Sequence, residues 1–243
     1  MTEELKEEVR LVTGASIPCL AISSNSYEDV TRYIGEYAWG NMQWMRDNVP
    51  PQVLVWRQSV GFEEYAMYVT DTDGNTKILE ERLNEANVRR VKFAKTGAVY
   101  KPDDDFEGAT VPHAVTFMQD YNCEEQGRKV LFILRDWHRF INANAYHVDR
   151  QMSLFEEILS GVQKNVFALC PTRWGSSANT EIPIELSHYV RHTRLELPDK
   201  DERVSIVSEA VLEYSQLEDY REALSVFGER EIESLADALG GMS

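Results

Sequence analysis

Two polar residues that follow apolar, strand-like runs are the ones in this chain best placed to do chemistry. Asp136 comes just after Val130–Leu134, and Thr172 comes just after Val166–Cys170. An aspartate at the end of a buried strand can hold magnesium, and a hydroxyl at the end of a neighbouring strand can sense a terminal phosphate. The same two residues can instead cap a turn or form a local turn hydrogen bond, so both readings stay open.

The loop that usually binds a triphosphate is absent from the sequence. Its pattern, G-x-x-x-x-G-K-[ST], wraps backbone N–H groups around the phosphates and places a lysine on them. After the first apolar run this chain has Ser24, Asn25 and Ser26, followed by the carboxylates Glu28 and Asp29. Acidic side chains at a helix N-terminus compete with an anionic ligand for the same dipole. The sequence therefore predicts no nucleotide binding at this position.

Histidine and cysteine positions do not form a standard metal-binding pattern. The spacing of His138, His188 and His192 fits no standard ligand set, and the three cysteines include no C-x-x-C pair. We therefore expect no metal site. An odd number of scattered cysteines is typical of reduced thiols in a cytosolic protein, so we expect a cytoplasmic location.

The charge of the chain restricts the partners it can bind. The 243 residues include 41 acidic and 25 basic side chains, for a formal net charge of −16. Such a surface repels nucleic-acid backbone and anionic membranes, so neither is expected as a partner. The densest basic stretch holds Arg89, Arg90, Lys92 and Lys95. The sequence begins with polar and acidic residues rather than a signal peptide, and no apolar run approaches the ~20 residues that span a bilayer.

Short apolar runs alternate with helical patterns along most of the chain, which favours a parallel sheet between helices. The predicted strands lie at residues 17–22, 53–56, 130–134, 166–170 and 193–197. Residues 65–79 are typical of a hairpin, whereas residues 80–110 look polar and irregular. From Asp199 onward the pattern is helical. We predict an α/β core over 1–198, with a hairpin-rich insertion at about 61–110, and a helical subdomain over 199–243.

Four segments, taken in order, resemble the degenerate N-terminal AAA+-like domain of a two-part AAA-family ATPase. They are Ser26-Tyr27-Glu28-Asp29, Asp136-Trp137-His138, Cys170-Pro171-Thr172, and the passage from Leu197-Pro198 to Arg203. The last is the most specific match, because Pro198 stops a strand and Asp199 caps the next helix. The resemblance spans about residues 10–243. It departs from the family at 61–110 and at Trp137, which stands where the family has a glutamate.

The resemblance implies a P-loop NTPase-like fold, with a five-stranded parallel sheet between helices and a helical lid. It makes Asp136 and Thr172 vestigial catalytic residues, and it makes Arg191 and Arg194 candidates for an interface with a neighbouring subunit. The implied function is a non-catalytic scaffold or interaction domain, without cofactor, that belongs to an ATPase or works with one. Its partners would be another protein or further copies of the chain.

Two alternatives remain at this stage. In one, the chain binds ATP and magnesium through an atypical site and hydrolyses ATP, with Asp136 and Thr172 acting. In the other, it is an acidic adaptor that docks on a basic protein, which predicts salt-dependent complex formation.

Overall fold

The fold was obtained as a computed structural model, which describes residues 7–10, 17–24, 27–40, 49–71, 75–79, 88–100, 111–121, 128–141, 145–160, 166–173, 182–194, 200–215 and 227–240. The chain divides into two compact units, Met1–Leu195 and Glu196–Ser243. Each unit is described by itself below.

Eight strands of the first unit form one sheet. Their bounds are β1 Cys19–Ser24, β2 Gln52–Arg57, β3 Gly61–Asp71, β4 Thr76–Ile78, β5 Val88–Tyr100, β6 Val130–Leu134, β7 Val166–Arg173 and β8 Val190–Arg194. The strand order across the sheet is β4-β3-β2-β6-β7-β1-β8, and β5 pairs with β3 outside that path.

The helices of the first unit cover both faces of this sheet. Their bounds are α1 Tyr27–Gly40, α2 Val111–Asp120, α3 Trp137–Ile141 and α4 Ala145–Ser160, with a 3-10 turn at Ile184–Leu186. Residues 7–10 are also helical. Helix α1 presents an apolar stripe because Val30, Ile34 and Ala38 recur every four residues, and all three are buried.

The sheet is mixed, so the predicted five-stranded parallel, P-loop NTPase-like sheet is wrong. Strands β2, β6, β7, β1 and β8 pair in parallel, but β3, β4 and β5 join the same sheet in antiparallel orientation. Strand β3 starts shortly after β2 ends, and a connection that short can only join antiparallel neighbours. Residues 61–71, 76–78 and 88–100 therefore extend the main sheet.

Residues 88–100 were predicted to be irregular, and this prediction is also wrong. Strand β5 runs through them for 13 residues and pairs with β3 from Phe62 to Asp71. The many basic and polar residues in this segment argued against a strand. An antiparallel strand with one solvated face nevertheless carries polar residues between its apolar ones. Gly97, at φ 90°, lies where the β3–β5 register shifts between Glu63 and Tyr65.

Two apolar layers hold the first unit together, one on each face of the sheet. Leu20, Ile22 and Val53 pack with α1 on one face, while Leu54 and Phe132 pack with α2 and α4 on the other. Parallel strands buried on both faces read as continuous apolar runs, which is why these strands were recognisable in the sequence.

The second unit contains helices α5 (Lys200–Ser215) and α6 (Glu229–Gly240). The two helices pack through Val207 and Ala236, which are buried. The Arg203 guanidinium donates a hydrogen bond to the Ala236 carbonyl over 3.0 Å, and Lys200 forms a 3.3 Å ion pair with Asp237. Arg203, the last residue of the Leu-Pro motif, therefore joins the two helices of this unit.

Gly35 of α1 packs against Phe93 of β5, in the antiparallel part of the sheet. A Cβ atom at Gly35 would overlap the ring of Phe93, which is buried and stacked on Tyr65. We expect Gly35→Ala to lower the free energy of unfolding by about 1–3 kcal/mol, because overpacking outweighs the gain of about 1 kcal/mol in helix propensity. Urea unfolding measures the change.

Gly40→Ala is the matched control, since it adds the same methyl group to the same helix with no atom within 4 Å. Adding Phe93→Leu to Gly35→Ala should restore part of the loss by making room for the methyl group. Equal stability of the two alanine variants would contradict the close contact.

Candidate functional site

The carboxyl ends of β1, β6 and β7 meet at one edge of the sheet. Strand β7 lies between the other two, and the chain leaves β1 towards β2 but leaves β7 towards β8. Helix α1, which follows β1, packs on one face, and Leu186, which lies between β7 and β8, packs on the other. Such a switch point between neighbouring parallel strands is where open α/β sheets bind their ligands.

Asp136 lies at this edge, in the turn that joins β6 to α3. Its backbone has φ 51°, and it is the one residue other than glycine with a positive φ in the described part of the chain. Aspartate tolerates this left-handed conformation better than most residues. The Tyr27 hydroxyl donates a hydrogen bond to the Asp136 carboxylate, and Arg139 lies 3.5 Å from the same oxygen. The carboxylate is therefore bound by side chains of its own protein.

Arg135 makes a second connection between the end of β6 and the first turn of α1. Its guanidinium lies 3.1 Å from the Glu28 carboxylate and 3.4 Å from the Thr31 hydroxyl. It also lies 5.8 Å from the centre of the Tyr27 ring. The side chain of Arg135 is only 11% exposed, so it fills space at the edge of the sheet rather than extending into solvent. We call Tyr27, Glu28, Arg135, Asp136 and Arg139 the edge cluster.

Trp137 and His138, which follow Asp136, point into the protein. Both are buried, and the Trp137 ring meets the Trp56 ring edge to face with centroids 4.7 Å apart. This contact belongs to the apolar layer beneath α2 and α4. At the position where the resembling family has a glutamate, this chain thus uses an indole ring to build its core.

The structure describes only some of the residues that stand where a phosphate loop would be, and only the backbone of Thr172. Ser24 ends β1 opposite Arg173 of β7, and its side chain is buried. Thr172 lies in β7 opposite Ser23, but its side chain lies outside the described residues, as do Asn25 and Ser26. The structure therefore brings Ser24 and the Thr172 backbone to the same edge as Asp136.

The two arginines predicted at an interface lie on the edge strand β8. Arg191 forms a two-point ion pair with Glu8, with N–O distances of 2.9 and 3.1 Å, and its side chain is half exposed. Arg194 pairs with Ser23 through the backbone, and its side chain lies outside the described residues. Arg191 thus fastens the N-terminal helical segment to the sheet.

Sequence reasoning identified Asp136 but missed Tyr27, Arg135 and Arg139 as its neighbours. Arg139 could have been found, because a basic residue three positions after an aspartate in a helical turn commonly pairs with it. Tyr27 is 109 positions away from Asp136 and carries no signal of its own. Among the described residues, no group of three or more histidine, cysteine, aspartate or glutamate side chains is arranged to hold a metal ion.

No protein-family model and no curated protein matches the chain. Among solved structures, a chain of the E. coli MS115-1 HORMA:CdnC:Trip13 complex is similar, with a TM-score of 0.50 and 9% sequence identity. The similarity covers 97% of this chain and 72% of that chain. At this identity the likeness concerns the fold alone. None of the described helices is long and apolar enough to cross a bilayer.

The hydrogen bond between Tyr27 and Asp136 should contribute measurably to stability. We expect Tyr27→Phe to lower the free energy of unfolding by about 1–3 kcal/mol, because the carboxylate loses a donor in a partly buried place. Asp136→Asn in a double-mutant cycle with Tyr27→Phe should show a coupling of about 1 kcal/mol in chemical unfolding.

Tyr33→Phe is the control for this cycle, because it removes a hydroxyl from the same helix and keeps the ring that contacts Arg32. Its effect should be within about 0.5 kcal/mol of zero. Additive effects of Tyr27→Phe and Asp136→Asn would show that the two side chains do not interact.

Proposed function

We propose that this chain is a non-catalytic protein-interaction domain, as its resemblance to degenerate AAA+ modules predicts. The observation that carries the proposal is the edge cluster. At the switch point of the sheet, Asp136 is bound by Tyr27 and Arg139, and Arg135 is bound to Glu28. A nucleotide that bound at this switch point would meet contacts that these side chains already make with one another.

A magnesium–triphosphate complex would find little compensation for breaking these contacts. Magnesium keeps several waters and relies on one or two carboxylates plus the phosphates of the substrate. Here the carboxylate of Asp136 already accepts a hydrogen bond from Tyr27 and lies beside the guanidinium of Arg139. The first turn of α1 also carries the carboxylate of Glu28. The stretch directly after β1 contains no lysine that could neutralise the phosphates. These features support a domain that neither binds nor hydrolyses ATP.

A protein is the partner class that the charge supports best. With a formal net charge of −16, the chain repels nucleic-acid backbone and anionic lipid. The similar solved chain belongs to a complex of the proteins HORMA, CdnC and Trip13, which also favours function through protein contacts. We infer a cytoplasmic location, because an odd number of scattered cysteines is typical of reduced thiols in a cytosolic protein.

Calorimetric titration with magnesium–ATP tests this proposal. We expect no binding heat for the wild-type chain at ATP concentrations up to about 1 mM, a range that detects affinities typical of nucleotide enzymes. Tyr27→Phe should also show none, because releasing Asp136 supplies neither a phosphate loop nor a lysine. Micromolar binding by the wild type, or phosphate release that Asp136→Asn abolishes, would contradict a non-catalytic domain.

A further inference from the structure

Strand β5 is a basic segment in an acidic protein. Its 13 residues hold Arg89, Arg90, Lys92 and Lys95 and no aspartate or glutamate. The whole chain has 41 acidic and only 25 basic side chains. A local patch of the opposite sign marks a surface that attracts acidic partners while the rest of the protein repels them.

The strand also lies at a border of the sheet. Among the described strands, β5 pairs with β3 alone, from Phe62↔Tyr100 to Asp71↔Val88. An antiparallel strand uses one edge for each neighbour, so the edge of β5 that faces away from β3 has no strand partner in the described part of the chain. An edge of this length can take up an extended peptide through backbone hydrogen bonds.

Partly buried side-chain contacts connect this border strand to the sheet. Glu63 of β3 is paired with Lys95 over 2.8 Å and with Arg57 of β2. Burial alone would raise the pKa of Glu63, but its contacts with Lys95 and Arg57 outweigh that effect and lower the pKa. The Tyr100 hydroxyl donates to the Glu64 carboxylate over 3.1 Å. Side-chain contacts therefore join β5 to β3 in addition to the backbone pairing.

The carboxylates of Glu63 and Glu64 on β3 face the protein, whereas a lysine of β5 faces solvent. Glu63 is buried, and Glu64 is partly buried against Arg128 and Gln52. Lys92 of β5 is exposed. Lys92 therefore presents a positive charge at the border.

We propose that the free edge of β5 binds an extended acidic segment of a partner protein as an added strand. The backbone of β5 would supply the hydrogen bonds, and its basic side chains would select acidic segments over neutral ones. A second copy of β5 would place like charges opposite each other, which is unfavourable, so a partner strand fits better than self-pairing. This inference deepens the proposed function and rests on it, because it names the partner class of the interaction domain.

Fluorescence anisotropy with a labelled, blocked nine-residue peptide that alternates glutamate and valine tests the inference on the full chain. We expect saturable binding that weakens as salt rises, since exposed charges are screened. Lys92→Glu should weaken binding about threefold to tenfold, because it replaces an attraction by a repulsion. Arg230→Glu, the matched control on α6, makes the same change in net charge at an exposed residue of the second unit and should have little effect.

Two peptide controls separate strand addition from simple charge attraction. N-methylation of two adjacent central residues blocks both edges of the peptide and should abolish binding, and replacing glutamate by glutamine should weaken it. Hydrogen exchange should show new protection of backbone amides within residues 88–100. Equal binding of the N-methylated peptide, protection elsewhere only, or preference for an oligonucleotide over the acidic peptide would overturn the inference.

The outcome also distinguishes this inference from the proposed function. If the folded chain binds neither the peptide nor magnesium–ATP, only the proposed role of β5 is overturned. Magnesium–ATP binding would contradict the non-catalytic assignment whatever the peptide does. Self-association that Lys92→Glu abolishes would show that a second copy, and not an acidic partner, occupies this edge.

Discussion

The hydrogen bond from the Tyr27 hydroxyl to the Asp136 carboxylate is the contact on which the structure of the carboxyl edge depends. The Tyr27–Asp136 hydrogen bond joins the first turn of α1 to the turn after β6, and the Arg135–Glu28 ion pair joins the same two elements a second time. These contacts satisfy a carboxylate and a guanidinium that parallel strands bring to one place. They also use the groups that a magnesium–phosphate ligand would need. We therefore propose that the contacts that stabilise the edge are the same ones that disfavour a magnesium–phosphate ligand there.

The parallel strands could be predicted because burial on both faces leaves a continuous apolar run. Val130–Leu134 is such a run, and all five of its side chains are buried. Strand β5 could not be predicted in this way, because only its Phe93 face is covered by α1 while Lys92 faces solvent. Its place is decided by pairing with β3, a contact between segments that the sequence does not mark. The mixed sheet therefore depends on a strand whose local pattern is polar.

The site was predictable to a similar extent. Asp136 stood out because it ends an apolar run, and the absence of glycine and lysine after β1 was visible in the sequence. The partners of Asp136 were not visible, since Tyr27 reaches it only once β1 and β6 lie two strands apart in the same sheet. Its left-handed backbone, at φ 51°, likewise follows from the turn into α3 rather than from residue type. A missing motif can be read locally, whereas the contacts that replace it require the fold.

The carboxyl edge of the sheet and the β5 border differ in how their charged side chains are paired. At the carboxyl edge, Arg135 and Arg139 are each paired with a carboxylate, so little unbalanced charge remains for a ligand. At the β5 border, the carboxylate of Glu63 is turned inward to hold Lys95, and Lys92 is left exposed. Because electrostatic complementarity selects partners mainly through exposed, unbalanced charge, the border and not the carboxyl edge is the surface suited to recognition. On the proposal made here, contacts between side chains take the place of a ligand at the carboxyl edge, and the backbone of β5, whose polar sequence gave no sign of a strand, remains to bind a partner.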